Sequence, residues 1–391
     1  MLRDNTFIIR LDKLKVKNND TVVVLNQAAG YLHVDMLEAY ASKFSKRVII
    51  AGTILERNNR ISPDIRWHKV IKYNRSSSLK RIYTWIIATL QMLFLVELRY
   101  RKAHIVAITN PPFSVFIPWL LRVKSYDLVI YDAYPDTLVN FGYIKNGSAL
   151  YNLWSFLNKK TFQSANRVFT LTDGMKGLIE RCYNARNVEV VPIWSDASDF
   201  KLVLKDKNEI LAKTNSRGKF CLVYSGNLGL THPIEKLFDL AALLDPEKFS
   251  VIIIGGGAKE SVLLEMQAQR QYTHVHLLPW QPFELLSHSL QAADLSVVTL
   301  DKEASNLSIP SKTFNILSVG NPILGICELN SGLAEVISEN NCGIVTDGQN
   351  LEVLAEQIKK LETNKALQDR LKANSLKASK KFSKQNALNY L

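Results

Sequence analysis

The chain has 391 residues, 47% hydrophobic and 22% charged, with 49 Lys+Arg against 36 Asp+Glu. That composition excludes a disordered, collagen-like or low-complexity protein, and the length predicts two domains. The net charge of +13 predicts an anionic partner: nucleic acid, phospholipid or a phosphorylated substrate.

In chain order, Met1–Asp20 is mostly polar and shows no secretory leader. Thr21–Leu25 (TVVVL) is an apolar run of the buried-strand type. A helix is expected over Asp35–Phe44 and a strand at Arg47–Ala51. Ser78–Arg101 contains an apolar run, Trp85–Val96, bracketed by Lys80 and Arg81 before it and by Arg99, Arg101 and Lys102 after it. Twelve residues fall short of the roughly 20 that span a bilayer. Two readings stay open: a buried helix, or a helix lying in a membrane interface with its apolar face down. From Arg66 to Lys102 there are nine Lys/Arg and one acid, Glu97.

Further strands are expected at Ile105–Thr109, Asp127–Tyr131, Arg167–Leu171 and Val188–Val191, with a helix over Met175–Cys182. Asp196–Lys219 is polar and reads as a linker with a peripheral helix. The alternation restarts at Phe220–Tyr224 and continues through Phe249–Ile254, His274–Leu278, Leu295–Thr299, Pro322–Gly325 and Gly343–Val345. Strands alternating with helices at this spacing predict βαβ units and parallel sheets. The lysine-rich stretch Lys359–Lys384 reads as a surface helix. Residues 1–200 hold 28 basic and 16 acidic residues, whereas residues 201–391 hold 21 and 20. The charge therefore belongs to the first half.

Doubly wound sheets bind ligands beyond the carboxyl ends of their strands. Ser225-Gly226-Asn227-Leu228-Gly229 follows one strand and could bring backbone N–H groups to a phosphate, although tight turns need glycine in any case. Gly255-Gly256-Gly257 follows another strand and is no G-x-G-x-x-G. The rigid loop Pro279-Trp280-Gln281-Pro282 could meet a base edge. In Ser308–Pro322, Ser311 and Lys312 sit at a helix start, a good place for a diphosphate; the bland alternative is a surface lysine after a cap. In the first half, Gly30 follows the first strand. Asp132 and Asp136, in YDAYPD, are carboxylates at a strand end, and Asp136 could equally be an N-cap. None of the seven histidines shows metal-ligand spacing, and the four cysteines form no C-x-x-C pair, so neither a metal nor a disulfide framework is expected and a reducing compartment is the default. There is no G-x-S-x-G elbow and no P-loop.

Six segments in order resemble the family-4 glycosyltransferases. They are Asn110-Pro111-Pro112, YDAYPD at 131–136, VPIWSD at 191–196, YSGNLGLTHPIEKL at 224–237, IPSKTFNILSVGNPIL at 309–324, and Asn341-Cys342-Gly343. The similarity is nearest to the subgroup that includes bacterial L-fucosamine transferases of surface-polysaccharide synthesis. The resemblance implies a GT-B fold: two Rossmann-like, doubly wound parallel-sheet domains facing a central cleft. The expected division is 1–200 for the acceptor side, rejoined by the tail 378–391, and 201–377 for the nucleotide-sugar side. It implies a retaining transfer from a nucleotide-sugar, a UDP-sugar in the first instance, to a polyprenyl-diphosphate-linked saccharide, without metal or cofactor.

By the same resemblance, Asp132 and Lys312 are the catalytic candidates. The donor side takes Gly30, Ser225, Gly226, Asn227, Gly229, Gly256, Gly257, Gln281, Pro282, Ser311 and Asn315, and the acceptor side takes Asn110 and Asp136. The sequence departs from the family's Glu-x7-Glu pair, which falls on Leu307 and Asn315, and has Ser331-Gly332 where serine-glutamate is usual. The expected setting is cytoplasmic, peripheral at the inner face of the cytoplasmic membrane, against an anionic lipid surface and without nucleic acid. The alternatives are a non-catalytic transferase-like partner or membrane-binding subunit, and a GT-B nucleotide-sugar epimerase.

Overall fold

A computed structural model describes residues 20–55, 61–140, 142–302 and 309–391. Leu307 lies outside the described residues. Two parallel sheets organise the chain. The first has the order β5-β3-β1-β6-β7-β8-β9. Its strands are β1 (Thr21–Leu25), β3 (Lys46–Ala51), β5 (Ile65–Lys69), β6 (His104–Ile108), β7 (Tyr126–Ile130), β8 (Arg167–Thr170) and β9 (Val188–Val190). A two-stranded sheet of β2 (Ala28–Ala29) and β4 (Thr53–Ile54) lies beside it. The second has the order β12-β11-β10-β13-β14-β15, from β10 (Phe220–Ser225), β11 (Phe249–Ile254), β12 (Val275–Leu278), β13 (Leu295–Thr299), β14 (Ile323–Ile326) and β15 (Gly343–Thr346). Central strands read as unbroken apolar runs because helices cover both faces of each sheet.

In each sheet the strand order reverses once, between β1 and β6 and between β10 and β13. Crevices at such reversals receive ligands. Edge strand β5 escapes the sequence reading because IRWHK is half-exposed and polar, with no long apolar run. The short helix Glu209–Lys213 also differs from expectation. It is not peripheral, since Ile210 and Leu211 are fully buried against Cys221 and Val223 of β10.

The helix Ser78–Leu95 starts at Ser77, whose Oγ accepts from the Lys80 amide, and runs into a π-helical turn, Val96–Tyr100. One side of it is core and the other is exposed. Ala88, Met92 and Val96 are fully buried in the core of the first sheet, while Leu79, Tyr83, Ile86, Leu90 and Phe94 are exposed.

Two segments join the sheets. Trp194 and Ser195 leave the first, and the chain returns through Phe382 to end at Leu391. The Ser195 amide donates to the Phe382 carbonyl at 3.0 Å. Ala387 and Tyr390 are buried in the core of the first sheet. There the Tyr390 carbonyl accepts from Arg167 Nη2 at 2.7 Å and from the Tyr40 hydroxyl at 3.2 Å. Lys384 pairs with Asp35 at 3.0 Å, and the other Asp35 oxygen accepts from Trp194 Nε1 at 2.9 Å.

Candidate functional site

The densest collection of unusual groups lies beyond the carboxyl ends of β10 and β11. The two glycine turns there are hydrogen-bonded to each other: Gly226 N donates to Ile254 O at 2.9 Å and Leu228 N to Gly256 O at 3.0 Å. Gly255, at φ +148°, must be glycine, because a Cβ would come within 1.9 Å of the Gly226 carbonyl. Gly226 itself has φ +155°, and a Cβ on it would stand 3.0 Å from Lys312 Nζ.

Lys312 opens the helix Lys312–Ser318. Its stem is partly exposed, but its ammonium is buried and has no hydrogen-bond partner among the described residues. It rests 3.5 Å from the centroid of the Tyr224 ring, a cation–π contact. Burial pushes its pKa down to about 7. The Tyr224 hydroxyl donates to the Asn227 carbonyl at 2.7 Å and so fixes the same turn. His232 stands next to this group. Its Nδ1–H donates to Thr299 O at 2.6 Å, and burial, then the nearby Lys312 charge, lower its pKa to about 4, leaving a neutral imidazole. A buried cation over a glycine turn, with no carboxylate partner among the described residues, is poised for an anion.

Other expected donor groups are placed differently. The amides of Thr313 and Phe314 are taken by the Pro310 and Ser311 carbonyls, at 2.9 and 3.2 Å, so the helix start offers fewer free donors than its sequence suggests. Ser311 is exposed and makes no side-chain cap. Asn315 Oδ1 accepts from Ser195 Oγ at 2.8 Å, which ties it to the interdomain segment. Gln281 is occupied at both ends, with Nε2 on Pro279 O at 2.8 Å and Oε1 accepting from Lys213 at 3.3 Å. Pro282 is exposed and precedes the 3-10 turn Phe283–Leu285. Ser225, Asn227, Gly229, Gly256 and Gly257 all lie in the two turns, and the Asn227 side chain folds across Gly229 and Gly257.

On the opposite side, Gly30 caps the helix Tyr31–Ala39, and a Cβ there would meet open space. Its amide donates to His33 Nδ1 at 3.0 Å, and His33 Nε2 lies 2.7 Å from the Asn26 amide. Burial lowers the His33 pKa to about 4. The Asn110 carbonyl accepts from the Gln27 amide at 2.6 Å, joining the exits of β1 and β6 across the reversal. Asp132 is exposed, yet crowding by surrounding protein raises its carboxyl pKa, offset in part by Arg75. Asp136 is otherwise engaged: its oxygens accept from the Tyr151 hydroxyl at 3.0 Å and from the buried Tyr183 hydroxyl. Its local hydrogen bonding is therefore that of a first-domain brace.

The two sides meet at Gly332, where a Cβ would stand 3.7 Å from Thr172 Cγ2. Among the described residues, no hydrogen bond or ion pair links Gly30 or Asp132 to the Lys312 group, and no cluster of three His, Cys, Asp or Glu side chains could hold a metal ion. Sequence reading passed over Tyr224, His232, His33 and Ser195. Tyr224 carried a signal, since it stands immediately before the Ser225-Gly226 turn.

Residues 206–378 match the family "Glycosyl transferases group 1". Across more of the chain, the protein is 25% identical over 304 residues to the probable glycosyltransferase WbjE of Pseudomonas aeruginosa, covering 76% of each chain. It is 25% identical over 209 residues to the putative colanic acid biosynthesis glycosyl transferase WcaI of Escherichia coli, covering 51% of this chain and 49% of that one. In fold it resembles Anabaena Alr3699/HepE, solved in complex with UDP-glucose. The TM-score is 0.68 at 12% identity, over 95% of this chain and 97% of that one. The chain has the GT-B arrangement, two Rossmann-like parallel-sheet domains. The matched segment contains both glycine turns and Lys312.

Proposed function

We propose that this protein is a glycosyltransferase of bacterial surface-polysaccharide synthesis, moving a sugar from a nucleotide-sugar to a lipid-linked saccharide with retention of anomeric configuration. The observation that carries the donor reading is the buried, unpartnered ammonium of Lys312 over Gly226. A sugar nucleotide has a diphosphate that gathers negative charge as the C1–O bond breaks, and a preorganised cation in a water-poor site stabilises that charge most where it develops. The diphosphate takes the place of the Tyr224 ring as partner to Lys312, and the turns at 225–229 and 255–257 shape the floor beneath it. The acceptor hydroxyl bonds to C1 on the face the leaving group departs from, and its proton passes to the departing diphosphate. Asp132, on the first-domain side, orients the acceptor.

UDP is the first nucleotide to test, since HepE, a fold relative, is solved with UDP-glucose. The name of WcaI, which places that protein in colanic acid biosynthesis, supports the polysaccharide setting, and the basic first half of the chain supports an acceptor carrying a polyprenyl diphosphate at the inner face of the cytoplasmic membrane. Family L-fucosamine transferases remain the model for the sugar. The reaction as written needs no metal or cofactor. The deciding experiment is calorimetric titration with a panel of nucleoside diphosphates. Micromolar binding of UDP that is lost in Lys312→Ala supports the reading; no binding to any of them would sink it in favour of a non-catalytic, transferase-like subunit.

A further inference from the structure

Half of the exposed large apolar side chains among the described residues lie between Leu79 and Phe156, all on the first domain. On the helix Ser78–Leu95 and its π-helical extension, Leu79, Tyr83, Ile86, Leu90, Phe94 and Leu98 recur at intervals of three and four, which is one helical stripe. Leu79 is 81% exposed and Leu98 78%. This stretch of 23 residues, with a mean hydropathy of 1.4, is long and apolar enough to cross a membrane. Its inner side is nevertheless core, since Ala88, Met92 and Val96 are fully buried under the sheet.

A second helix, Ala149–Ser164, repeats the arrangement. Trp154 and Phe162 enter the same core cluster, and Leu150, Leu153 and Phe156 are each more than half exposed. The Tyr134 ring bridges the two helices, with centroids 6.1 Å from Trp85 and 5.9 Å from Trp154. The short helix Ile117–Leu120 packs between them and exposes Leu120. With both inner faces in one core, both outer faces look away from the same side of the sheet.

Charge says what covers this face. Lys72, Arg75 and Lys80 are exposed at one end of the first helix, and Arg99, Arg101 and Lys102 at the other; Lys159 and Lys160 end the second. The two helices carry a single acid, Glu97, already paired with Arg101 at 2.7 Å. An apolar face rimmed by cations that outnumber the acids matches acyl chains under anionic headgroups. A second copy would set the same cations against themselves.

We propose that both helices together seat the first domain in the interface of an anionic bilayer, lying in it rather than crossing it. The inference goes beyond the donor-site reading and is independent of Lys312. Full-length protein should float with vesicles of phosphatidylcholine and phosphatidylglycerol, at least tenfold more tightly than with phosphatidylcholine alone, and less tightly as salt is added. Phe94→Ser on the first helix and Phe156→Ser on the second should each weaken vesicle binding at least tenfold, with UDP titration unchanged. That last readout separates the two readings, because lost UDP binding in the unaltered protein would remove the donor assignment and leave docking standing. Vesicle binding indifferent to Phe156→Ser would overturn the two-helix face. Failure to float would overturn docking altogether, whether the protein stays monomeric or forms a dimer that Phe94→Ser disperses.

Discussion

The two domains share a topology and handle charge in opposite ways. The first half of the sequence, residues 1–200, carries a net charge of +12, and its described part bears an exposed apolar face. The second half, residues 201–391, is nearly neutral, at +1, yet holds one ammonium out of water with no hydrogen-bond partner among the described residues. Surface charges act in high dielectric, are screened within about 10 Å at ordinary salt, and suit a broad anionic partner. A single desolvated cation acts at short range and suits one small anion. Net charge is therefore a poor guide to where an anionic ligand binds, and the burial of one lysine is a better one.

The sharpest way to break this contrast is Lys312→Ala. Loss of one preorganised charge from a developing oxyanion typically costs about 10²–10³ in kcat. A comparable fall in transfer, with vesicle binding intact, is the expected outcome, and unchanged turnover would refute the phosphate assignment. Next in size is Gly255→Ala, which drives a Cβ into the Gly226 carbonyl. It should lower stability by well over about 1 kcal/mol and disturb nucleotide binding, read as a fall in Tm together with weaker UDP titration.

The titration of Lys312 offers a smaller effect with a definite sign. Its folded pKa, about 7, lies below the ordinary lysine value of 10.5. Between those values the unfolded chain binds more protons, so this group's contribution to stability rises as pH increases through that window. Anion binding runs the other way. UDP affinity should fall as pH rises from about 7 to 9, with proton uptake on binding, and Lys312→Met should abolish that slope. A flat profile in the unaltered protein would show that the ammonium is not desolvated.

Smallest is Ser195→Ala, which removes the hydroxyl bonded to Asn315. A net loss of about 1 kcal/mol is expected for one hydrogen bond. The change should appear as a modest rise in donor KM with kcat kept. A collapse of kcat would give the interdomain segment a larger part in the site than its geometry suggests.

The fold was largely legible. Phe249–Ile254 and Leu295–Thr299 fall where their apolar runs place them, because a strand buried on both faces is mostly apolar. Edge strand β5 was illegible for the converse reason, its residues being free to be polar. The glycine turns and Lys312 were readable as candidates from their position after strands. Asp136 and Asn315 were readable only as polar residues near strand or helix ends. Their partners, Tyr151 and Tyr183 for one and Ser195 for the other, are 15, 47 and 120 residues away. No local pattern encodes such pairs.

By itself, the sequence determined the alternation of strands and helices, the two parallel sheets and the concentration of positive charge in the first half, since periodicity and composition are local properties. Only the tertiary structure decided which lysine is desolvated. Solvation depends on neighbours gathered from distant segments, and Lys312 meets Tyr224 and Gly226 across 88 and 86 residues of chain. The same holds for the apolar helix at 78–100. Its apolar residues fall on more than one side, and only packing against the sheet decides which side is core and which is left outside.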